Sequence, residues 1–232
     1  MFVFFDIGST LVDGPSRGPG RRLIELLGLP EGTRASLDDF LFRTPLEGPR
    51  TLAGYLVSQC NVEPGSAIHI SDSLWQSQIR EARVVPGARE ILQHLRSAGI
   101  PYGFISNIWV PFYQGFQALL QEEIRGRPRF LSFELGLAKP GAAIYEAALS
   151  ALSLSPGQTI MVGDTYANDI APAMAIGMKT IWLLHRPEKE RRDLVKVLNG
   201  QLPSPGRTVA ALQDLVQLRL NSDTPYAGIG LP

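Results

Sequence analysis

Residues 2–11 read FVFFDIGSTL, a short apolar run that ends in Asp6 and is followed by small residues. An apolar run of this length, rich in aromatic and β-branched side chains and bounded by turn residues, is typical of a buried strand in a parallel sheet. Asp6 therefore follows the carboxyl end of a predicted strand, where open α/β sheets bind their ligands. Because an aspartate in this place also suits a helix N-cap, its function depends on residues further along the chain.

The bulk composition limits the class of protein. The chain has 232 residues, of which 44% are hydrophobic, and its 22 basic and 22 acidic residues balance. We therefore expect a globular protein with no nucleic acid and no membrane as partner. The N-terminal apolar run is too short for a signal sequence, and no window reaches the roughly 18 apolar residues of a membrane span. The single cysteine, Cys60, excludes an internal disulfide, which predicts a reducing, cytoplasmic location.

The hydrophobic pattern divides the chain into two regions. Residues 14–85 contain amphipathic stretches with helical spacing and little strand character. From Pro86 onward, strands and helices alternate, which predicts crossover connections and a parallel sheet covered on both faces. In this region we predict strands over 101–105, 129–133, 159–162 and 179–184, and a final helix over 209–220. The prediction is an α/β fold with a Rossmann-like core (1–13 and 86–220), a small all-helical cap (14–85) and a C-terminal extension (221–232).

Polar residues follow other predicted strands of the core. Ser106 and Asn107 come directly after the second strand, and Asp164 comes after a later one. Lys139 stands immediately before a predicted helix. Each has an ordinary interpretation by itself, since Ser, Asn and Gly-Asp favour turns. Because parallel strands end at the same edge of a sheet, however, their order predicts one shared site beside Asp6.

These residues stand in four motifs through which the chain resembles the haloacid-dehalogenase-like superfamily of hydrolases. The motifs are, in order, DIGSTL at 6–11, FISN at 104–107, LAKP at 137–140 and GDTYAND at 163–169. The resemblance covers nearly the whole chain except the tail. It implies a Rossmann-like core with an inserted cap, and a phosphatase that acts on a small phosphorylated substrate through an aspartyl-phosphate.

The resemblance also implies a role for each site residue. Asp6 would be the nucleophile, and Lys139 would neutralise both the nucleophile and the transferring phosphoryl group. Ser106 and the backbone N–H of Asn107 would donate hydrogen bonds to the phosphoryl oxygens. A Mg²⁺ cofactor, which prefers hard oxygen ligands, would be held by Asp6, the backbone carbonyl of Gly8, Asp164 and Asp169.

The chain departs from the family pattern at Gly8. In typical phosphatases of the family, an aspartate two residues after the nucleophile protonates the leaving group, and general acid–base help of this kind is worth roughly 10²–10⁴-fold. Glycine has no side chain that could donate the proton. Ser9 is a poor acid, and His69 in the predicted cap is the other candidate that the sequence offers. We therefore expect a preference for good leaving groups, such as aryl or acyl phosphates.

Other chemistries of the superfamily are weighed against this one. Phosphonate-cleaving relatives form a Schiff base with a cap lysine. Because no lysine precedes Lys139 in this chain, the predicted cap lacks that lysine and we exclude this reaction. Dehalogenase relatives need no metal and carry an aromatic residue where Gly8 stands, so the retained Asp164 and Asp169 favour a metal-dependent enzyme instead. A non-catalytic relative that binds a phosphorylated ligand or a partner protein stays open, because Gly8 favours it while Asp6 and Lys139 oppose it.

Overall fold

The structure is a computed structural model that describes residues 1–216, and its core is a parallel β-sheet. The strands of the described residues are β1 (Phe2–Phe5), β2 (Val12–Asp13), β3 (Arg83–Val84), β4 (Tyr102–Ser106), β5 (Arg129–Leu131), β6 (Thr159–Gly163), β7 (Lys179–Leu183) and β8 (Arg207–Val209). Six of them form one sheet in the order β5-β4-β1-β6-β7-β8, with every neighbouring pair parallel. The predicted α/β fold with a parallel sheet is confirmed.

The central strand β1 explains why Asp6 lies at the middle of one sheet edge. All four residues of Phe2–Phe5 are apolar and buried, as expected for a strand that is covered on both faces. Val3 and Phe5 join the apolar cluster on one face of the sheet, whereas Phe4 joins the cluster on the other face. Asp6 follows directly, at the point where the buried strand ends.

Helices surround the sheet and also form a unit of their own. The α-helices of the described residues are α1 (Pro19–Leu27), α2 (Arg34–Arg43), α3 (Pro49–Cys60), α4 (Pro64–Arg80), α5 (Ala88–Ser97), α6 (Val110–Ile124), α7 (Ser132–Leu135), α8 (Ala142–Ala151), α9 (Ala171–Ala175), α10 (Pro187–Leu198) and α11 (Gln213–Val216). Helices α5 and α6 pack on one face of the sheet, and α8 and α9 pack on the other. None of the helices in this part of the chain has both the length and the apolar character that crossing a membrane requires.

The helices α1–α4 lie between β2 and β3 and have a separate apolar cluster. This cluster includes Leu37, Leu52 and Trp75, and Trp109 from the start of α6 contributes to it. Strands β2 and β3 pair in an antiparallel ribbon at the two ends of the helical segment. We propose that the cap and the core have the limits predicted from the sequence. The ribbon of β2 and β3 would then be the two-stranded connection between them.

Two of the predicted segments differ from the structure. The strand predicted over 129–133 stops at Leu131, because Ser132 begins α7 and its hydroxyl both accepts a hydrogen bond from the Ile108 amide and donates one to the Ile108 carbonyl. The helix predicted over 209–220 is wrong at its start, since Val209 ends β8, which pairs with β7. Only Gln213–Val216 is helical there, and the rest of that predicted helix and the extension 221–232 lie outside the described residues.

Candidate active site

Asp6 is held by donors from three other parts of the chain. The Ser106 hydroxyl, at the end of β4, donates to Asp6 Oδ1 at 2.9 Å, and Lys139 Nζ donates to the same oxygen at 2.6 Å. The Thr10 hydroxyl lies 3.4 Å from the other oxygen, Oδ2. Asp6 is only 6% exposed. The carboxylate that the sequence singled out is therefore buried, oriented and paired with a cation.

Lys139 links Asp6 to a second carboxylate. Besides Asp6 Oδ1, its ammonium donates to Asp169 Oδ1 at 2.5 Å and to the Ile105 carbonyl at 3.2 Å. Burial alone would lower the pKa of this ammonium, but Asp169 and Asp6 outweigh burial and raise the pKa above its ordinary value. Lys139 therefore stays charged, with a partner for each of its three N–H groups.

Asn107 fixes the backbone that carries Lys139. Its side-chain Nδ2 donates to the Lys139 carbonyl, and its Oδ1 accepts from the Lys139 amide, both at 2.8 Å. This reciprocal pair ties the loop before α8 to the end of β4. The sequence argument assigned a role only to the Asn107 backbone N–H, so this positioning function of the side chain is an addition to it.

Asp6 and two further carboxylates form a group that could hold a metal ion. Asp6, Asp164 and Asp169 are all buried, and one oxygen from each lies within 4.8 Å of the other two. Asp164 follows β6, and Asp169 lies in the π-helical turn Tyr166–Ile170 that leads into α9. Burial and the nearby negative charges raise the pKa of both Asp164 and Asp169, that of Asp169 to about 7. A divalent cation would relieve this repulsion, and carboxylate oxygens are the donors that Mg²⁺ prefers, so the residues present fit the ion.

Gly163 allows Asp169 to approach the cluster. A Cβ atom on Gly163 would lie only 2.4 Å from the Cβ of Asp169, far inside contact distance. Glycine is therefore required here for the close approach between the end of β6 and the turn that follows. In the Gly-Asp pair of the fourth motif, Gly163 is thus needed for steric reasons, and Asp164 supplies a carboxylate to the acidic cluster.

Gly8 lies in a tight turn beside the nucleophile. The Ile7 carbonyl accepts hydrogen bonds from the amides of Leu11 and Val12, at 2.9 and 3.0 Å, which folds the chain back after β1. Among the described residues, a Cβ on Gly8 would meet only Phe112 Cε1, at an ordinary contact distance of 3.8 Å. The position therefore has room for a side chain. His69, the other candidate acid, is exposed on α4, and no contact with the acidic cluster is found for it in residues 1–216.

Two residues of this edge were missed by the sequence argument. His185 and Arg186 follow β7, whose carboxyl end reaches the same edge of the sheet. His185 Nε2 lies 2.7 Å from the Ser9 carbonyl oxygen, which fixes the turn around Gly8. Arg186 donates to Asp164 Oδ2 at 2.5 Å. The signal that could have found them is the rule already applied to the other strands, that polar residues after a parallel strand lie at the ligand-binding edge.

Comparison with known proteins finds phosphatases that are similar to this chain in sequence. Ribulose-1,5-bisphosphate 5-phosphatase from Halopiger xanaduensis is 29% identical over 132 residues, which cover 55% of this chain and 52% of that protein. Phosphoglycolate phosphatase from Pseudomonas fluorescens is 26% identical over 219 residues, which cover 88% of this chain and 78% of that protein. The chain thus spans about half the length of the first relative and most of the second.

A solved structure and a family model complete the comparison. The crystal structure of a 2-haloacid dehalogenase from Pseudomonas syringae shares the fold, with a TM-score of 0.62 at 20% identity over 93% of this chain and 96% of that one. The model of the haloacid dehalogenase-like hydrolases matches residues 2–177, a span that contains all four motifs. Because this match covers most of the chain, the protein belongs to the haloacid dehalogenase-like hydrolase family.

Proposed function

We propose that this protein is a magnesium-dependent phosphatase that hydrolyses a small phosphorylated metabolite through an aspartyl-phosphate on Asp6. The observation that carries the proposal is the environment of Asp6, which is bound by Ser106 and Lys139 and faces two further buried carboxylates. The names of the relatives agree, since proteins 29% and 26% identical to this chain are phosphatases of phosphorylated metabolites.

The chain's own residues divide the reaction into two steps. A carboxylate oxygen of Asp6 attacks phosphorus, and the bond from phosphorus to the leaving oxygen breaks; water then hydrolyses the acyl phosphate and regenerates the carboxylate. The charged Lys139 and the Ser106 hydroxyl stabilise the negative charge on the phosphoryl oxygens. A Mg²⁺ bound by Asp6, the Gly8 carbonyl, Asp164 and Asp169 would supply further neutralisation of the phosphoryl group and the carboxylates.

The leaving group decides which substrates react well. With glycine at position 8, the leaving oxygen departs without a proton from the position where the family places its general acid. The rate should therefore depend steeply on the stability of the departing anion. We propose that aryl and acyl phosphates are hydrolysed much faster than simple alkyl or sugar phosphates.

Two alternatives are less well supported by the site. A metal-free dehalogenase has no use for the three buried carboxylates, and the likeness to a solved dehalogenase concerns the fold alone. A binding protein without activity has no need of a nucleophile that is 2.6 Å from a buried lysine. The cost of burying such charges favours a chemical use for them.

The first experiment measures phosphate release from p-nitrophenyl phosphate with Mg²⁺ or with EDTA. We expect activity in the wild type that requires Mg²⁺, and loss of that activity in Asp6→Asn. Asp39→Asn is the matched control, because Asp39 is a largely exposed carboxylate whose side chain is 64% accessible and, within residues 1–216, forms an ion pair only with Arg43 on α2. Activity that survives in Asp6→Asn, or that is unaffected by EDTA, would contradict the proposed mechanism.

A second experiment restores the missing acid. Gly8→Asp has room for its side chain beside Phe112, and we expect it to increase the rate on glycerol phosphate by at least about tenfold, with a smaller effect on p-nitrophenyl phosphate. Gly32→Asp adds the same charge at an exposed glycine with no atom within 4 Å of its Cβ direction. Equal wild-type rates on the two esters would show that the leaving group already receives a proton.

A further inference from the structure

Arg186 lies on the outer side of Asp164 and connects it to the ribbon of β2 and β3. Its Nη2 donates to Asp164 Oδ2 at 2.5 Å, and its Nη1 lies 3.5 Å from Asp13 Oδ1, on β2. The Arg186 side chain is 23% exposed, and that of Asp164 is 9% exposed. This is a largely buried arginine–carboxylate pair, and hydrogen bonds between two charged groups are the strong ones in proteins.

The two oxygens of Asp164 face different partners. Oδ1 lies 3.4 Å from the Thr10 hydroxyl, which is itself 3.4 Å from Asp6 Oδ2. Asp164 Oδ1 and Asp6 Oδ2 therefore turn toward the same point, whereas Asp164 Oδ2 turns away from it, toward Arg186. Rotation about the last torsion of an aspartate is weakly restricted. The Thr10 and Thr165 hydroxyls lie 3.4 and 3.5 Å from Oδ1, so the shorter, charged hydrogen bond from Arg186 to Oδ2 is the strongest of the contacts that hold this orientation.

We propose that Arg186 is a positioning residue for cation binding: it holds Asp164 Oδ2 and so presents Oδ1 toward Asp6. This inference rests on the proposed function, in which Asp6, Asp164 and Asp169 bind a divalent cation. Outer partners of metal-binding carboxylates commonly act in this way, and their replacement costs about 10–100-fold in metal affinity.

The positive charge of Arg186 and its hydrogen bond to Asp164 should change the Mg²⁺ affinity in opposite directions. The direction of the change in a variant therefore tests the proposal. A guanidinium beside the site repels a cation, so the loss of its charge alone would tighten Mg²⁺ binding. The loss of its hydrogen bond to Asp164 would weaken Mg²⁺ binding instead. We expect the orienting effect to dominate, because Asp164 is buried and its Oδ2 receives its charged hydrogen bond from Arg186.

The planar fork of arginine suits this position better than the single ammonium of lysine. Two different nitrogens of Arg186 face two carboxylates, Asp164 and Asp13, from one rigid group. The third nitrogen, Nε, is buried without a hydrogen-bond partner in the described part of the chain. The guanidinium is therefore held by its two Nη groups, and a lysine could bind Asp164 without the second anchor.

The test is a Mg²⁺ titration of the metal-free protein by isothermal titration calorimetry, with folding checked by circular dichroism in EDTA. We expect Arg186→Gln to bind Mg²⁺ about 10–100-fold more weakly than the wild type, and Arg186→Lys to fall between them. Arg192→Gln is the matched control, since it removes the same charge from an exposed residue of α10 and should change the affinity less than about twofold.

A positioning role also predicts a specific kinetic result. If Arg186→Gln only weakens Mg²⁺ binding, kcat on p-nitrophenyl phosphate returns toward the wild-type value when Mg²⁺ is raised to saturation. Unchanged or tighter binding by Arg186→Gln would overturn the inference, as would a kcat that stays low at saturating Mg²⁺. If Arg186→Gln does not fold, Asp13→Ala removes only the second anchor, and an unchanged affinity in Asp13→Ala and Arg186→Lys together would also overturn the inference. A wild type that binds no Mg²⁺ would instead refute the proposed function.

Discussion

Replacement of Lys139 by methionine tests the buried charges of the site most directly. Methionine has a similar length and no charge, so the substitution removes the ammonium while leaving most of the volume filled. Lys139 Nζ lies 2.6 Å from Asp6 Oδ1 and 2.5 Å from Asp169 Oδ1, and its side chain is only 2% exposed. The substitution thus leaves two buried carboxylates without their shared cation.

The magnitude follows from these distances. At an effective dielectric constant of about 20, each pair at this separation is attracted by about 6 kcal/mol, most of which only offsets the cost of burying the charges. The loss of one partner of a buried pair typically destabilises a protein by about 3–5 kcal/mol, because it leaves an uncompensated charge. For a chain of this size, that corresponds to a decrease of roughly 6–20 °C in Tm.

The assay is thermal unfolding followed by circular dichroism at pH 8 in EDTA. The double variant Lys139→Met with Asp169→Asn removes both members of one pair, and we expect it to regain at least half of the lost Tm. Phosphatase activity should be absent from both variants, because neither has the ammonium. The matched control, Lys196→Met, removes a partly exposed ion pair with Asp193 at 3.4 Å, which is worth about 1 kcal/mol or less.

Two results would refute this reasoning. A Tm of Lys139→Met within about 3 °C of the wild type, which corresponds to roughly 1 kcal/mol, would show that the carboxylates lose their charge or become hydrated at little cost. A double variant that is less stable than the single one would show that Asp169 stabilises the fold through contacts other than Lys139. The hydrogen bond from the Thr165 amide to Asp169 Oδ2, at 3.0 Å, is the contact to examine in that case.

Two further predictions concern the acidic cluster. Burial raises the pKa of Asp164 and of Asp169, that of Asp169 to about 7, so these two carboxyls bind protons more tightly in the folded metal-free chain than in the unfolded chain, and their contribution to its stability falls as the pH rises toward 7. Because Mg²⁺ binds the ionised carboxylates, we expect it to increase Tm more at pH 8 than at pH 5.5, and an equal increase would contradict these pKa shifts. Gly163→Ala should weaken Mg²⁺ binding at least about tenfold, measured by calorimetry, because the new Cβ would lie 2.4 Å from that of Asp169, whereas Gly157→Ala meets no atom within 4 Å and should bind normally.

The sequence predicted the main site residues because strand ends and chain order contain the needed geometry. In the sheet, Phe5 pairs with Phe104 of β4 and with Val162 of β6. The register alone therefore brings the ends of the three strands to one edge of the sheet, where Asp6 follows β1, Ser106 ends β4 and Asp164 follows β6. Asp6, Ser106 and Asp164 could be placed together from the pattern without any knowledge of side-chain conformation.

The elements that escaped prediction have weak local signals. Strand β8 contains one apolar residue among its three, Val209, and its pairing with β7 comes from a distant part of the chain. Helix α10 has no fully buried residue, and its Leu194 and Val197 pack only partly buried against the apolar cluster around Trp182. Such segments are determined by tertiary packing more than by propensity, which a reading of local periodicity does not capture.

The role of Arg186 was missed for a different reason. Arginine is usually exposed, so its identity alone favours a surface interpretation; only the conformation of its long side chain brings it to Asp164.

If all three carboxylates are ionised, they exceed the two cations, Lys139 and Arg186, by one negative charge. The cations bind Asp6 Oδ1 and Asp164 Oδ2, whereas Asp6 Oδ2 and Asp164 Oδ1 each lie 3.4 Å from the Thr10 hydroxyl. The protein's cations thus bind one oxygen each of Asp6, Asp164 and Asp169 and leave one excess negative charge, which a divalent ion bound by these carboxylates would neutralise. This arrangement separates the two cations by function: loss of Lys139 should appear first in the stability of the metal-free fold, and loss of Arg186 in the affinity for Mg²⁺.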